Sequence, residues 1–128
     1  MNVWNPHIEL MSKAQLETLQ LRLLKIQTRR MWEHSPFYHD RMREAGVSPD
    51  DIRTLEDVRR LPFMTKKDLR DNDPNRLMMS DRGDLVRYHA SSGTTGKPII
   101  VGYTKTDLEN WSESLARAMT SFGLGRKD

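Results

Sequence analysis

The sequence predicts a mainly α-helical chain with a β-hairpin. A helical region over residues 1–83 precedes a hairpin and helix over 84–128 that read as the first elements of a larger α/β unit. Three observations predict this. A hydroxyl residue stands three places ahead of an acid or amide at Ser12/Gln15, Ser48/Asp51, Thr54/Asp57, Thr65/Asp68 and Thr104/Asp107, the spacing of a helix-opening capping box. Two β-like runs flank a Gly-, Ser- and Thr-rich stretch at residues 91–97. The chain is also short of core. Hydrophobic residues make up 36% of it, with 7 glycines, below the usual apolar share of a globular domain, so part of its packing is expected to be completed against something else.

After Ser12-Lys13-Ala14-Gln15, residues Leu16, Leu19, Leu23 and Ile26 recur at helical spacing, with Leu24 and Met31 widening the stripe, and a helix over 13–33 follows. Arg22, Lys25, Arg29 and Arg30 on its other faces give the pattern of a solvated helix. Ser35-Pro36 starts a second helix, because proline is tolerated at the first helical position, and Gly46 stops it. Phe37, Tyr38 and Met42 form its apolar side. Short helices follow from the next three capping boxes, with Leu61-Pro62 between the last two.

From 72 to 83 periodicity is lost, and Leu77-Met78-Met79 is expected to pack on a neighbour. In the first strand Val86, Tyr88 and Ala90 alternate with Leu85, Arg87 and His89. In the second, Ile99, Val101 and Tyr103 share a face, and the two pair most simply as a hairpin. Thr104-Lys105-Thr106-Asp107 then opens a helix to Ser121 whose Leu108, Trp111, Leu115, Ala118, Met119 and Phe122 form a stripe of core type, and Gly123 ends it. A helix and a Gly-rich turn precede a strand in α/β folds, and such a strand would bury Trp111 and Phe122.

Composition narrows the function. Lys and Arg total 21 against 18 Asp and Glu, a net charge of +3, and aromatic residues do not interleave the basic ones as a nucleic-acid stacking platform requires. With no cysteine there is no thiol nucleophile and no Cys-based metal site. His7, His34, His39 and His89 lack ligand spacing, so surface or capping roles are expected and no metal site is assigned. No run of apolar residues is long enough for a membrane helix, so no membrane partner is expected and a cytoplasmic location is the default.

The stretch His89-Ala90-Ser91-Ser92-Gly93-Thr94-Thr95-Gly96-Lys97-Pro98 reads as a polyphosphate cradle. Gly93 and Gly96 let main-chain N–H groups converge, Ser91, Ser92, Thr94 and Thr95 add hydroxyl donors, and Lys97 adds a mobile charge. It is not the P-loop G-x-x-x-x-G-K-[ST]. Ser91 replaces the first glycine, Pro98 replaces the final hydroxyl, and a strand follows where a P-loop begins a helix. By composition alone a flexible hairpin tip stands beside the cradle reading, although the abrupt exit through Lys97-Pro98 into a β-branched run disfavours a linker.

The run Tyr88 to Pro98 resembles the phosphate-binding signature of the adenylate-forming enzymes, and within them the chain resembles the phenylacetate–coenzyme A ligases. The narrower likeness rests on Trp4-Asn5-Pro6, Leu19-Gln20-Leu21, Ser35-Pro36-Phe37-Tyr38, Ala45-Gly46-Val47, Asp51 to Asp57, Leu61-Pro62-Phe63, Lys67 to Asp71, Val101-Gly102-Tyr103-Thr104 and Trp111. Asn75-Arg76 departs from the pattern, because the family often has an aromatic residue and a glycine there.

The resemblance implies the N-terminal helical region and first strands of such an enzyme's α/β large domain, the start of an incomplete AMP-binding domain. It implies a ligase that joins an aryl acid to coenzyme A through an acyl-adenylate, using ATP and Mg²⁺. The nucleotide-binding residues carried over are Ser91, Ser92, Gly93, Thr94, Thr95, Gly96 and Lys97. The chemistry and the coenzyme A site are expected beyond Asp128, so no catalytic residue is identifiable in this portion and none of these ligands is expected to bind it tightly alone. The competing expectation is a helical interaction module with a vestigial loop. A homo-oligomer or domain-swapped assembly is expected of exposed apolar stripes.

Overall fold

The computed structural model describes residues 2–91, 96 and 98–125. Helix α1 (Pro6–Glu9) is a short N-terminal turn, α2 (Lys13–His34) is the long helix, and α3 (Pro36–Glu44) follows with no intervening loop. Two 3₁₀ turns, Pro49–Asp51 and Leu55–Arg60, lead to α4 (Lys66–Asp71) and α5 (Pro74–Leu77). A further 3₁₀ turn at Arg82–Asp84 enters strand β1 (Leu85–Ala90), which pairs with β2 (Ile100–Thr104), and α6 (Lys105–Ser121) follows directly. The chain is mainly helical with an antiparallel hairpin, as the sequence predicts.

The capping chemistry forms as expected. Gln15 N–H donates to Ser12 Oγ while Ser12 N–H donates to Gln15 Oε1 at 2.9 Å, which satisfies two otherwise orphaned donors. Ser35 joins α2 to α3. Its N–H closes α2 on Met31 O, its hydroxyl oxygen accepts from Tyr38 N–H, and its O–H donates to Arg76 O at 2.8 Å. Gly46 adopts φ 65, the left-handed turn that lets Val47 N–H reach back to Met42 O at 2.9 Å. The buried apolar residues Phe37, Met42, Val47 and Ile52 gather there, where α2, α3 and the first 3₁₀ turn meet.

Four features differ from the sequence expectation. The first is the face of α2. Spacing selects Leu16, Leu19, Leu23 and Ile26, yet the buried position is Thr28, flanked by the half-buried Leu24 and Met31, while Leu16, Leu23 and Ile26 are exposed. The helix carries two apolar rows, and the row meeting α3 and the 3₁₀ turns is the better covered, with Leu19 the half-buried member of the other. Thr28 satisfies its hydroxyl within the helix by donating to Leu24 O at 2.7 Å.

The second is α5, inside the aperiodic stretch, where Asp73 Oδ1 accepts from Asn75 N–H at 2.8 Å and Pro74 supplies the first helical position. The following Met78-Met79-Ser80 lies against α2 as expected, held by Arg30 Nη2 donating to Ser80 Oγ at 2.7 Å. The third is α1, whose start is fixed by Asn5 N–H donating to Glu9 Oε1 at 2.6 Å.

The fourth is strand register. Tyr88 opposes Gly102, His89 opposes Val101 and Ala90 opposes Ile100, but a bulge falls between Leu85 and Arg87. Leu85 therefore leaves the face of Arg87 and His89 for that of Gly102, where a Cβ would lie 2.8 Å from Leu85 Cδ1.

Helix α6 ends in a Schellman motif. Gly123, at φ 97, donates to Thr120 O and Leu124 N–H reaches Met119 O. The stripe expected to be core is not covered among the described residues: Trp111 is 49% exposed, Leu115 54% and Phe122 87%.

Candidate functional site

The Gly-, Ser- and Thr-rich stretch joins β1 to β2 at the end of the hairpin opposite the β2–α6 junction. Its foot is closed by Ser91, whose N–H donates to Ile99 O at 3.0 Å and whose Oγ accepts from Ile99 N–H at 2.9 Å. A hydroxyl that accepts this bond still has its own proton to donate. Gly96 has φ 136, a region L side chains rarely adopt, and among the described residues nothing lies within 4 Å of the position a Cβ would take. The restriction at Gly96 is thus in the backbone. Ser92, Gly93, Thr94, Thr95 and Lys97 lie outside the described residues. The described ends of the loop are thus a foot closed on Ile99 and an exposed glycine in a backbone region that favours glycine.

Beneath the foot, three rings from three elements meet. His89 lies 4.8 Å from Tyr103 and 5.5 Å from Trp111 between ring centroids, and Tyr103 stacks on Trp111 at 5.6 Å. His89 is half-buried in this cluster, beyond the surface or capping role its isolated position in the sequence suggests. The cluster forms because β2 enters α6 without a loop. The helix runs back along the strand, and Trp111, about two turns in, reaches the rings of Tyr103 and His89.

The junction is fixed by the capping box of α6. Thr104 N–H and its hydroxyl donate to Asp107 Oδ2 at 2.9 and 2.8 Å, and Asp107 N–H returns to Thr104 Oγ1. These two donors hold the Asp107 carboxyl below the usual carboxylate range, and the Arg30 guanidinium across the fold adds to the effect. A cleft of about 460 Å³ opens between α2, the 78–80 segment and β2, with Arg30, Leu85, Ile100 and Asp107 on its walls.

A second anchor on α6 has no sequence signal. Trp4 Nε1 and Asn5 Nδ2 each donate to Glu113 at 2.8 Å, and Arg117 lies 3.3 Å from the same carboxylate. The side-chain donors from Asn5 and Trp4, with Arg117, keep the Glu113 carboxyl low. Among the described residues no group of three or more His, Cys, Asp or Glu could hold a metal ion, and no helix is long and apolar enough to cross a membrane.

No family model matches the chain. It is 45% identical over 121 residues to the phenylacetate-coenzyme A ligase of Escherichia coli (strain K12), covering 94% of this chain and 28% of that protein. It is 44% identical to the enzyme of the same name from Thermus thermophilus, covering 94% and 27%. Among solved structures, a 2-hydroxyisobutyryl-CoA ligase in complex with 2-HIB-AMP and CoA matches with a TM-score of 0.83 and 31% identity, over 91% of this chain and 26% of that one. An open conformation of that ligase gives 0.84 and 28%, over 95% and 29%. The chain thus spans between 26% and 28% of the length of the curated relatives it matches.

Proposed function

We propose, from a chain that is the counterpart of the N-terminal region of the phenylacetate–coenzyme A ligases, that it belongs to an ATP-dependent acid–coenzyme A ligase and carries the grip on the nucleotide's phosphates. The observation that carries this reading is the 45% identity spanning 94% of the chain, loop included. The substrate is phenylacetate or a related aryl acid, and the enzyme works in the cytoplasm.

In the first step a carboxylate oxygen of the acid attacks the α-phosphorus of ATP. The bond from that phosphorus to the bridging oxygen breaks, and its electron pair leaves with pyrophosphate. Ser91, Ser92, Gly93, Thr94, Thr95, Gly96 and Lys97 surround the β- and γ-phosphates. Their donors gain most as charge builds on the departing group, which is transition-state stabilisation by prearranged dipoles. Lys97 ranks below the backbone amides because a flexible ammonium is less preorganised than fixed N–H groups. Mg²⁺ would neutralise phosphate charge, and the described residues of this chain supply no carboxylate cage for it. The thiol of coenzyme A then takes the acyl group and AMP leaves. The acid pocket, the coenzyme A site and the groups that react belong to the remaining length of such an enzyme, so the 128 residues alone are inactive.

The test joins this chain to the remaining length of the Escherichia coli relative and follows acid-dependent exchange of labelled pyrophosphate into ATP. Exchange is expected with an aryl acid, and Gly96→Val should reduce it roughly tenfold to a hundredfold, because a side chain at that φ strains the loop. Absence of exchange with every aryl acid tried overturns the reading.

The exposed Leu115, Met119 and Phe122 favour a second reading, a self-standing helical module that dimerises through this stripe and does no chemistry. Sedimentation decides. A discrete, well-folded assembly that leaves ATP unbound supports this alternative, whereas a poorly soluble or domain-swapped chain supports the ligase reading.

A further inference from the structure

The ring cluster at the foot of the loop is not explained by strand pairing alone. His89 and Val101 are register partners, so the hairpin closes without any aromatic residue there, yet three rings from β1, β2 and α6 converge on that level. Ser91, two residues beyond His89, makes the last bonds before the loop, and both go to Ile99. The foot is therefore tied to β2 by hydrogen bonds and to α6 by the packing of His89 on Trp111.

From this geometry we infer that His89, Tyr103 and Trp111 are positioning residues for the loop. They dock its foot on α6, so that the place of Ser91 and Ile99, from which the loop leaves, is set by the helix as well as by the hairpin. A two-stranded ribbon on its own twists and frays. Fixing one face to a helix removes that freedom before any ligand arrives, and a docked foot leaves less entropy to lose on binding. The role concerns phosphate through the reading proposed above, which it deepens. The docking is a property of the chain by itself.

The test has two arms. In the 128-residue chain, amide exchange is measured at Ser91 and Ile99, with Val47, whose N–H is bonded to Met42 O, as the reporter of the intact core. An aromatic pair shifts an equilibrium by roughly two- to twelvefold. His89→Ala, which takes a ring from both Tyr103 and Trp111, should therefore speed exchange at Ser91 and Ile99 by about tenfold while Val47 is unchanged. His89→Phe, which keeps a ring, should restore slow exchange, and Trp111→Ala should repeat the effect from the helix side. In the joined enzyme, His89→Ala should lower kcat/KM for ATP several-fold, with kcat falling as well as KM rising because the loop's donors act on the departing pyrophosphate, and His89→Phe should recover both. Unaltered exchange at Ser91 and Ile99 in a folded His89→Ala chain overturns the positioning role. Altered exchange together with a joined enzyme inactive toward every aryl acid overturns the ligase reading and leaves the docking in place.

Discussion

The α2–α3 corner and the hairpin–α6 unit are built from the same local devices and differ in what covers them. Both open helices with capping boxes, and both end a helix on a glycine at positive φ, Gly46 in one and Gly123 in the other. In the corner, Phe37, Met42, Val47 and Ile52 are buried by their own neighbours. In the hairpin–α6 unit, Trp111, Leu115, Met119 and Phe122 stay largely open, and the fixed points are polar or aromatic: the Thr104–Asp107 box, the Glu113 anchor and the ring cluster. Capping and turn chemistry can therefore define an element completely while leaving its packing undetermined. The Gly-, Ser- and Thr-rich loop belongs to the less covered of the two.

The largest expected effect breaks the corner. Met42 is fully buried, and Met42→Ala should cost about 2–5 kcal/mol by removing packed atoms and leaving a cavity. Urea unfolding followed by helix signal would measure it. Against a chain with so few buried apolar side chains, a loss of that size should unfold α3 and loosen α2 while α6 keeps its capping box. Simultaneous loss of α6 would show that the two regions form one cooperative unit.

A smaller effect sharpens the contrast through pH. Asp51 at the corner, Asp57 and Asp68 in the short helices after it, and Asp107 and Glu113 in the hairpin–α6 unit are all held low, the capping acids chiefly by hydrogen bonds from their own Ser or Thr partners. A carboxylate lowered in the folded state contributes stability that is complete above its unfolded value, about 4, and is lost as pH falls through the folded value. On acidification below that point, NMR signals of α6 should be lost before those around Met42, because the corner retains its apolar packing when its carboxylates protonate. Thr104→Ala removes the hydroxyl that caps α6 and helps to hold Asp107 low. It should cost about 1 kcal/mol and move the loss of α6 to higher pH, with no change around Met42.

What can be read in the sequence follows the same division. The capping boxes, the Ser35-Pro36 junction, the Gly46 and Gly123 stops and the hairpin are legible because each is decided within a few residues of chain. The covered face of α2 is not, because Leu16–Ile26 and Leu24–Met31 are equally apolar and tertiary packing chooses between them. Strict alternation puts Leu85 on the wrong face, because one bulge shifts it. The tie of Trp4 to Glu113 joins residues 109 positions apart through polar groups that follow no period. The cradle reading of residues 91–97 rests on donors and glycines together with family resemblance, and residues 92–95 and 97 lie outside the described residues. The ring cluster under it leaves no local signal, since His89, Tyr103 and Trp111 belong to three elements.

The smallest expected effect is the most direct test of the comparison. Leu115 is more than half exposed on the open stripe of α6, and glutamine has nearly the helix propensity of leucine, so Leu115→Gln changes burial and little else. If the stripe is surface in this chain, the substitution should move unfolding free energy by no more than about 0.5 kcal/mol, well below the expected cost at Met42. Measured at two protein concentrations, it also reads association. In a chain that pairs through this face, Leu115→Gln should lower the sedimentation coefficient and make stability less dependent on concentration. A cost comparable to that of Met42→Ala, with no dependence on concentration, would mean that the stripe is packed within a single chain, and the contrast between the two regions would then be lost.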